Sequence, residues 1–120
     1  MATLNLKFIA DLQDSDYAVI EFQGDMDRET IHNTEHQVEK FLTSFKKHFL
    51  VFDFSGLSFI NSDGIGFIVS THMKLAVKGQ GLLLCGFKMN VADVINLVGL
   101  PKLIPVFQNM EDIIRYIKKK

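Results

Sequence analysis

Two almost unbroken apolar runs, FLVFDF at 49 to 54 and LLLCGF at 82 to 87, constrain this chain more than any other feature. Runs of strand length without polar alternation belong to central strands that are covered on both faces. The residues between them, 55 to 81, include a helix-length amphipathic pattern, and two strands joined through a helix pair in parallel by a crossover. That combination directs the chain to the α/β class, with helices on the faces of a sheet.

The rest of the chain fits around this centre. Leu4, Leu6 and Phe8 alternate with polar residues, and after the turn residues Asp14-Ser15-Asp16 the segment YAVIEF alternates again, so a hairpin precedes the parallel part. From Asp27 the period becomes helical, with Ile31, Val38, Leu42 and Phe45 on one side. Ile65, Ile68, Val69, His72, Met73 and Ala76 predict the buried face of the crossover helix, which Lys78-Gly79-Gln80-Gly81 ends. Asn90, with Asp93 three residues on, reads as the cap of a further helix buried through Val91, Val94, Ile95 and Val98 and closed by Gly99. KLIPVF is a short strand that Pro105 confines to an edge, and Asn109 caps a last helix carrying Ile113, Ile114 and Ile117. No linker, repeat or low-complexity stretch interrupts the order. The expectation is one α/β domain over residues 1–120, with a mixed β-sheet of about five strands and about four α-helices.

Charge and composition narrow the function. Thirteen basic against fourteen acidic residues give a net charge of -1, so no basic field recruits nucleic acid or an anionic membrane. The only basic run, Lys118-Lys119-Lys120, suits a solvated chain end and the dipole of the last helix. The single cysteine, Cys85, sits in an apolar run as a small hydrophobe rather than a ligand or disulfide partner. The amino terminus lacks the pattern of a secretory leader, and no apolar run approaches the roughly 18 residues of a membrane span. A cytoplasmic location is expected.

The chemistry-bearing stretch is FINSDGIGF, residues 59 to 67. With FLVFDF read as ending at Ser55-Gly56, it opens a helix beyond the carboxyl end of a central strand, where open α/β sheets place their sites. Asn61 or Ser62 can cap that helix, Asp63 suits the dipole of its first turn, and Gly64 permits close approach of another chain. Capping alone accounts for these residues; a binding role is the competing reading. On a helical wheel centred on Ile65, Ser62 points inward, while Asp63, Phe67, Ser70 and Lys74 share the far side. An exposed Phe67 on that ridge marks a docking surface, or else tucks beneath the segment from Gly56 to Ile60 or is one of the many apolar side chains that surfaces tolerate.

Enzymatic readings fail on their partners. Asp53 at the end of a central strand resembles a phosphate-accepting aspartate, but the acidic pair and the lysine of such a receiver are missing: Ile9-Ala10 is followed by Asp11 alone, and Phe107 by Gln108. His32 and His36 have a metal-compatible spacing, yet lie among Glu29, Glu35 and Glu39 on what reads as a solvated helix face. There is no cysteine pair, no GxSxG elbow and no phosphate-binding GxGxxG or GxxxxGK loop. No catalysis, metal or cofactor is expected.

Three motifs in order and spacing carry a family likeness. FQGDMD (22 to 27) is similar to an apolar-x-Gly-x-Leu-Asp signature, VFDFSGLSFINSDGIG (51 to 66) to a pattern ending in Asp-Ser-Ser-Gly-Leu-Gly, and VINLVGL (94 to 100) to a Leu-x-x-x-Gly-Leu ending. The chain resembles over nearly its whole length a stand-alone STAS domain, the fold of bacterial anti-sigma factor antagonists and of the terminal domain of sulfate-type transporters. The resemblance implies regulation of transcription by partner switching. An antagonist of this kind binds an anti-sigma factor with a histidine-kinase-like ATPase fold, frees the sigma factor, and is released when that partner, acting as a serine kinase, phosphorylates a Ser or Thr just before the Gly. Here Asp63 holds the acceptor position, Asn61 replaces the usual Asp, and Ser62 matches the first Ser and is a possible phosphorylation site.

The resemblance together with the ridge on the helical wheel gives an expected partner surface of Asp27, Asn61, Ser62, Asp63, Gly64, Phe67 and Lys74 on a monomer or weak dimer. Phosphorylation adds about -1.5 to -2 charge, of which Asp63 permanently supplies roughly half. Three consequences stand open: a phosphorylated-like weak binder, a partner adapted to the acid, or control through Ser62; the adapted partner is favoured. The alternative function is a STAS scaffold or accessory subunit of a transport or lipid-trafficking complex without a phosphorylation cycle.

Overall fold

Residues 2–10 and 15–119 are described by the computed structural model. The sheet has five strands in the order β1 (Leu4–Ile9), β2 (Tyr17–Met26), β3 (Phe49–Ile60), β4 (Gly81–Cys85) and β5 (Val106–Phe107). β1 pairs antiparallel with β2, and every later pairing is parallel, so the mixed α/β sheet expected from the sequence is present. Of the turn read from Asp14-Ser15-Asp16, Asp14 lies outside the described residues, as do Asp11 and Lys120. β5 is a two-residue edge strand next to Pro105, whose carbonyl accepts from Leu84.

The helices are α1 (Arg28–Thr43), α2 (Ser62–Val77), α3 (Met89–Leu97) and α4 (Met110–Lys118), with a short 3-10 turn at Leu100–Lys102. Alternation along the strands divides them between the two faces. Ile20, Phe22, Leu50, Phe52, Phe54, Leu82 and Leu84 form the larger core with apolar residues of α1, α2 and α3. Val19, Val51, Leu83 and Cys85 point the other way and meet Ile113 of α4. Cys85 is buried there as expected, and burial, with the charge of Asp53 second, pushes its thiol up to about 12.

Three local readings are corrected. β3 does not stop at Ser55-Gly56: it continues to Ile60, because β2 also continues, and register shifts between Glu21 and Gln23 and between Gly24 and Asp25 keep the two in step. Gly24 makes that irregularity feasible, with φ at +123° and space for no side chain, since a Cβ there would lie 2.1 Å from the carbonyl oxygen of Thr3.

α3 is capped from Lys88 without a side-chain bond, so Asn90 and Asp93 form no capping box. Asn90 instead donates from Nδ2 to the carbonyl of Ser58 at 2.9 Å, tying α3 to β3, and Val98 is 54% exposed.

The buried face of α2 is Gly64, Phe67, Ile68, Thr71 and Leu75, leaving Met73 and Ala76 outside. Thr71 can face the core because its hydroxyl donates to the carbonyl of Phe67 at 2.9 Å, leaving no unpaired donor.

Candidate functional site

β2 and β3 end together, and this places the site. Met26 pairs with Ile60, the last residue of each strand, and the amide of Asn61 donates to the Met26 carbonyl at 3.1 Å. Each chain then turns at once into a helix, so the N-termini of α1 and α2 emerge side by side at the carboxyl ends of adjacent parallel strands.

Both helices are capped by their own residues. Asp27 accepts from the amide of Thr30 at 3.0 Å, while the Thr30 hydroxyl accepts from the Asp27 amide, a reciprocal capping box. At α2 it is Asn61 that caps, its Oδ1 accepting from the amides of Asp63 at 3.0 Å and Gly64 at 3.3 Å. Ser62 and Asp63 are therefore freed from capping and stand exposed on the first turn. The inward orientation expected for Ser62 is not found, because the buried side of α2 begins at Gly64. A Cβ on Gly64 would lie 2.6 Å from Ile60 Cγ1 and 2.8 Å from Met26 Cβ. Its smallness serves contact between α2 and the strand ends rather than approach by another molecule.

Phe67 is the main correction. It is 9% exposed, its ring stacked on Phe52 with centroids 6.0 Å apart and edge-on to Phe22 at 6.3 Å. The wheel centred on Ile65 misplaces it because the true inner face centres on Gly64, Phe67, Ile68, Thr71 and Leu75. The rings of Phe22 and Phe52 on the strands beneath instead draw in the ring of α2, and Gly64 and Thr71 bring the helix close enough. Phe67 thus supports the site from below.

Asp63, Phe67, Ser70 and Lys74 nevertheless share one feature. They form the α2 side of a groove of about 720 Å³ whose other side is α1. Lys74 Nζ reaches Glu39 Oε1 across it at 3.0 Å. Asp27, Asn61, Ser62 and Gly64 lie beyond the residues that line it. Arg28, Glu29 and Gly66 also line the groove and had no place in the expected surface; adjacency to the Asp27 cap and the second glycine of the DGIG stretch were the available signs.

His32 and His36 are exposed on α1, and among the described residues no three His, Cys, Asp or Glu side chains are grouped to hold a metal ion. Among the same residues no helix is long and apolar enough to cross a membrane.

These features define a small mixed α/β protein whose parallel strands deliver an exposed, side-chain-capped helix N-terminus. The chain belongs to the STAS domain family, whose model matches residues 8–113. It is 22% identical over 91 residues to the anti-sigma F factor antagonist of Paenibacillus polymyxa, covering 76% of this chain and 78% of that protein. Among solved structures it is similar to an anti-sigma factor antagonist from Mycobacterium paratuberculosis, with a TM-score of 0.83 and 21% identity over 96% of this chain and 94% of that one. The anti-sigma factor antagonist SpoIIAA in its unphosphorylated form superposes with a TM-score of 0.75 and 18% identity, covering 93% and 96% respectively.

Proposed function

We propose that this chain is an anti-sigma factor antagonist-like interaction domain that acts in the cytoplasm, binds an anti-sigma factor or another serine-kinase-fold regulator, and alters transcription by switching which partner that regulator holds. The observation that carries this reading is Asp63: a carboxylate on the exposed first turn of α2, held in place by the Asn61 cap, at the position where the family pattern has its acceptor hydroxyl. A carboxylate forms no phosphoserine, so the interaction runs without phosphate at 63. The regulator that suits it offers a basic or donor-rich pocket, since repulsion would otherwise leave a permanently inactive antagonist.

Calorimetry against the kinase-fold regulator encoded nearest to this gene tests the proposal. Binding by wild type that weakens in Asp63→Asn supports it. Absence of binding, or tighter binding by Asp63→Asn, overturns it. With the same regulator and ATP, wild type is expected to take no phosphate and Asp63→Ser to become a substrate; stable phosphorylation of wild type at Ser62 contradicts that order.

A second reading is a constitutive STAS accessory subunit of a transport or lipid-trafficking complex, which the missing hydroxyl at 63 also suits. Co-purification with an ATPase of a transporter, and indifference to any anti-sigma factor, distinguishes it.

A further inference from the structure

The groove between α1 and α2 is closed from below by the core side chains Ile31, Val38, Leu42 and Phe67, none more than 9% exposed, and its walls are charged. Its four carboxylates, Glu29, Glu35 and Glu39 of α1 and Asp63 of α2, face only two permanent cations, Arg28 and Lys74. Lys74 is already engaged by Glu39. Glu29, Glu35 and Asp63 make no ion pair among the described residues, so the walls keep an excess of unneutralised acid.

Gly66 supplies the second observation. It lies inside α2, where glycine weakens a helix, yet a Cβ added to it would meet nothing within 4 Å. Unlike Gly64, it is required by no internal contact. What its missing side chain provides is an indentation in the groove wall, one turn or less from Asp63, where an incoming chain can approach the helix backbone.

We propose that this groove seats a cationic amphipathic segment of the partner protein. Its lysines or arginines stand beside Glu29, Glu35 and Asp63, its apolar face lies against the uncharged strip between the two walls, and its closest approach is at Gly66. The inference deepens the partner-binding reading by naming the chemistry of the partner. Acid walls repel nucleic acid and anionic lipid, and they favour a basic segment through both steering and specificity.

The experiment is an amide NMR titration of the ¹⁵N-labelled chain with two synthetic helical peptides, one of leucine and lysine/arginine and one with glutamate at every basic position. The basic peptide is expected to shift amides along both groove walls, Gly66 among them, and to bind more weakly as salt rises. Glu35→Lys and Gly66→Leu are each expected to lower its affinity by about tenfold or more. Gly66→Leu places its Cβ where no heavy atom lies within 4 Å; should it nevertheless misfold, Glu35→Lys on the exposed face of α1 carries the test. No binding at about 1 mM peptide, equal binding of the acidic peptide, shifts confined to the outer face of α3, or full affinity in both variants overturns the inference. An anti-sigma factor that binds with unchanged affinity to Gly66→Leu and Glu35→Lys refutes the groove and spares the functional reading. A groove that takes the basic peptide while no kinase-fold regulator binds refutes only the functional reading.

Discussion

The ring of Phe67 lies within 6° of parallel to that of Phe52, on the central strand beneath it. The turn that exposes Ser62 and Asp63 is thereby anchored one turn later by an aromatic stack, so the position of the acid depends on the packing of the core.

Phe67→Ala is expected to destabilise the fold by about 3–5 kcal/mol, the range for removing a buried aromatic side chain. Chemical denaturation measures this. Any loss of partner binding should track the loss of folded protein; weaker binding with unchanged stability would return Phe67 to the surface.

The two glycines of α2 should respond in opposite directions. Gly64→Ala forces a methyl against Ile60 and Met26 and is expected to cost about 1–3 kcal/mol. Gly66→Ala meets nothing and is expected to stabilise by about 0.5–1 kcal/mol through helix propensity. Paired thermal melts check both signs.

Asn61 and Asp63 separate capping from charge. Asn61→Ala removes the acceptor of two amides and is expected to cost about 0.5–2 kcal/mol. Asp63→Asn should change stability by only about 0.3–1 kcal/mol while reducing regulator affinity several-fold. Denaturation and calorimetry on the same preparations read the two effects.

His48 beside Asp16 holds the Asp16 carboxyl below its ordinary value, chiefly through the side-chain hydrogen bond. A depressed acid stabilises the fold above its ordinary range, and that contribution disappears as pH falls through the folded-state value. Both side chains are largely exposed, so the effect on stability should be no more than about 0.2–1 kcal/mol. An NMR titration of the Asp16 carboxyl is expected to move up toward the ordinary aspartate range in His48→Ala, with part of the depression kept by the amide of residue 48 and by Lys47.

Much of the architecture was legible because it follows from local periodicity. Unbroken apolar runs at β3 and β4, alternation in β1 and β2, and the Pro105 edge specified the mixed sheet, and the asparagine at 61 marked a real cap. The order and spacing of the three motifs also carry the likeness to the STAS family, to which the chain belongs. Tertiary structure alone decided which way α2 faces. Its sequence offers apolar residues around much of the cylinder, and only the rings of Phe22 and Phe52 below select Phe67 as inward, with Gly64 and the self-satisfied Thr71 permitting the approach. The same holds for the groove: Glu29 and Glu35 are distant in sequence from Gly66, and they share a surface because Met26 and Ile60 end adjacent strands in register. Periodicity states how often a side chain recurs on a face, but the shape of the partner layer determines which face is buried.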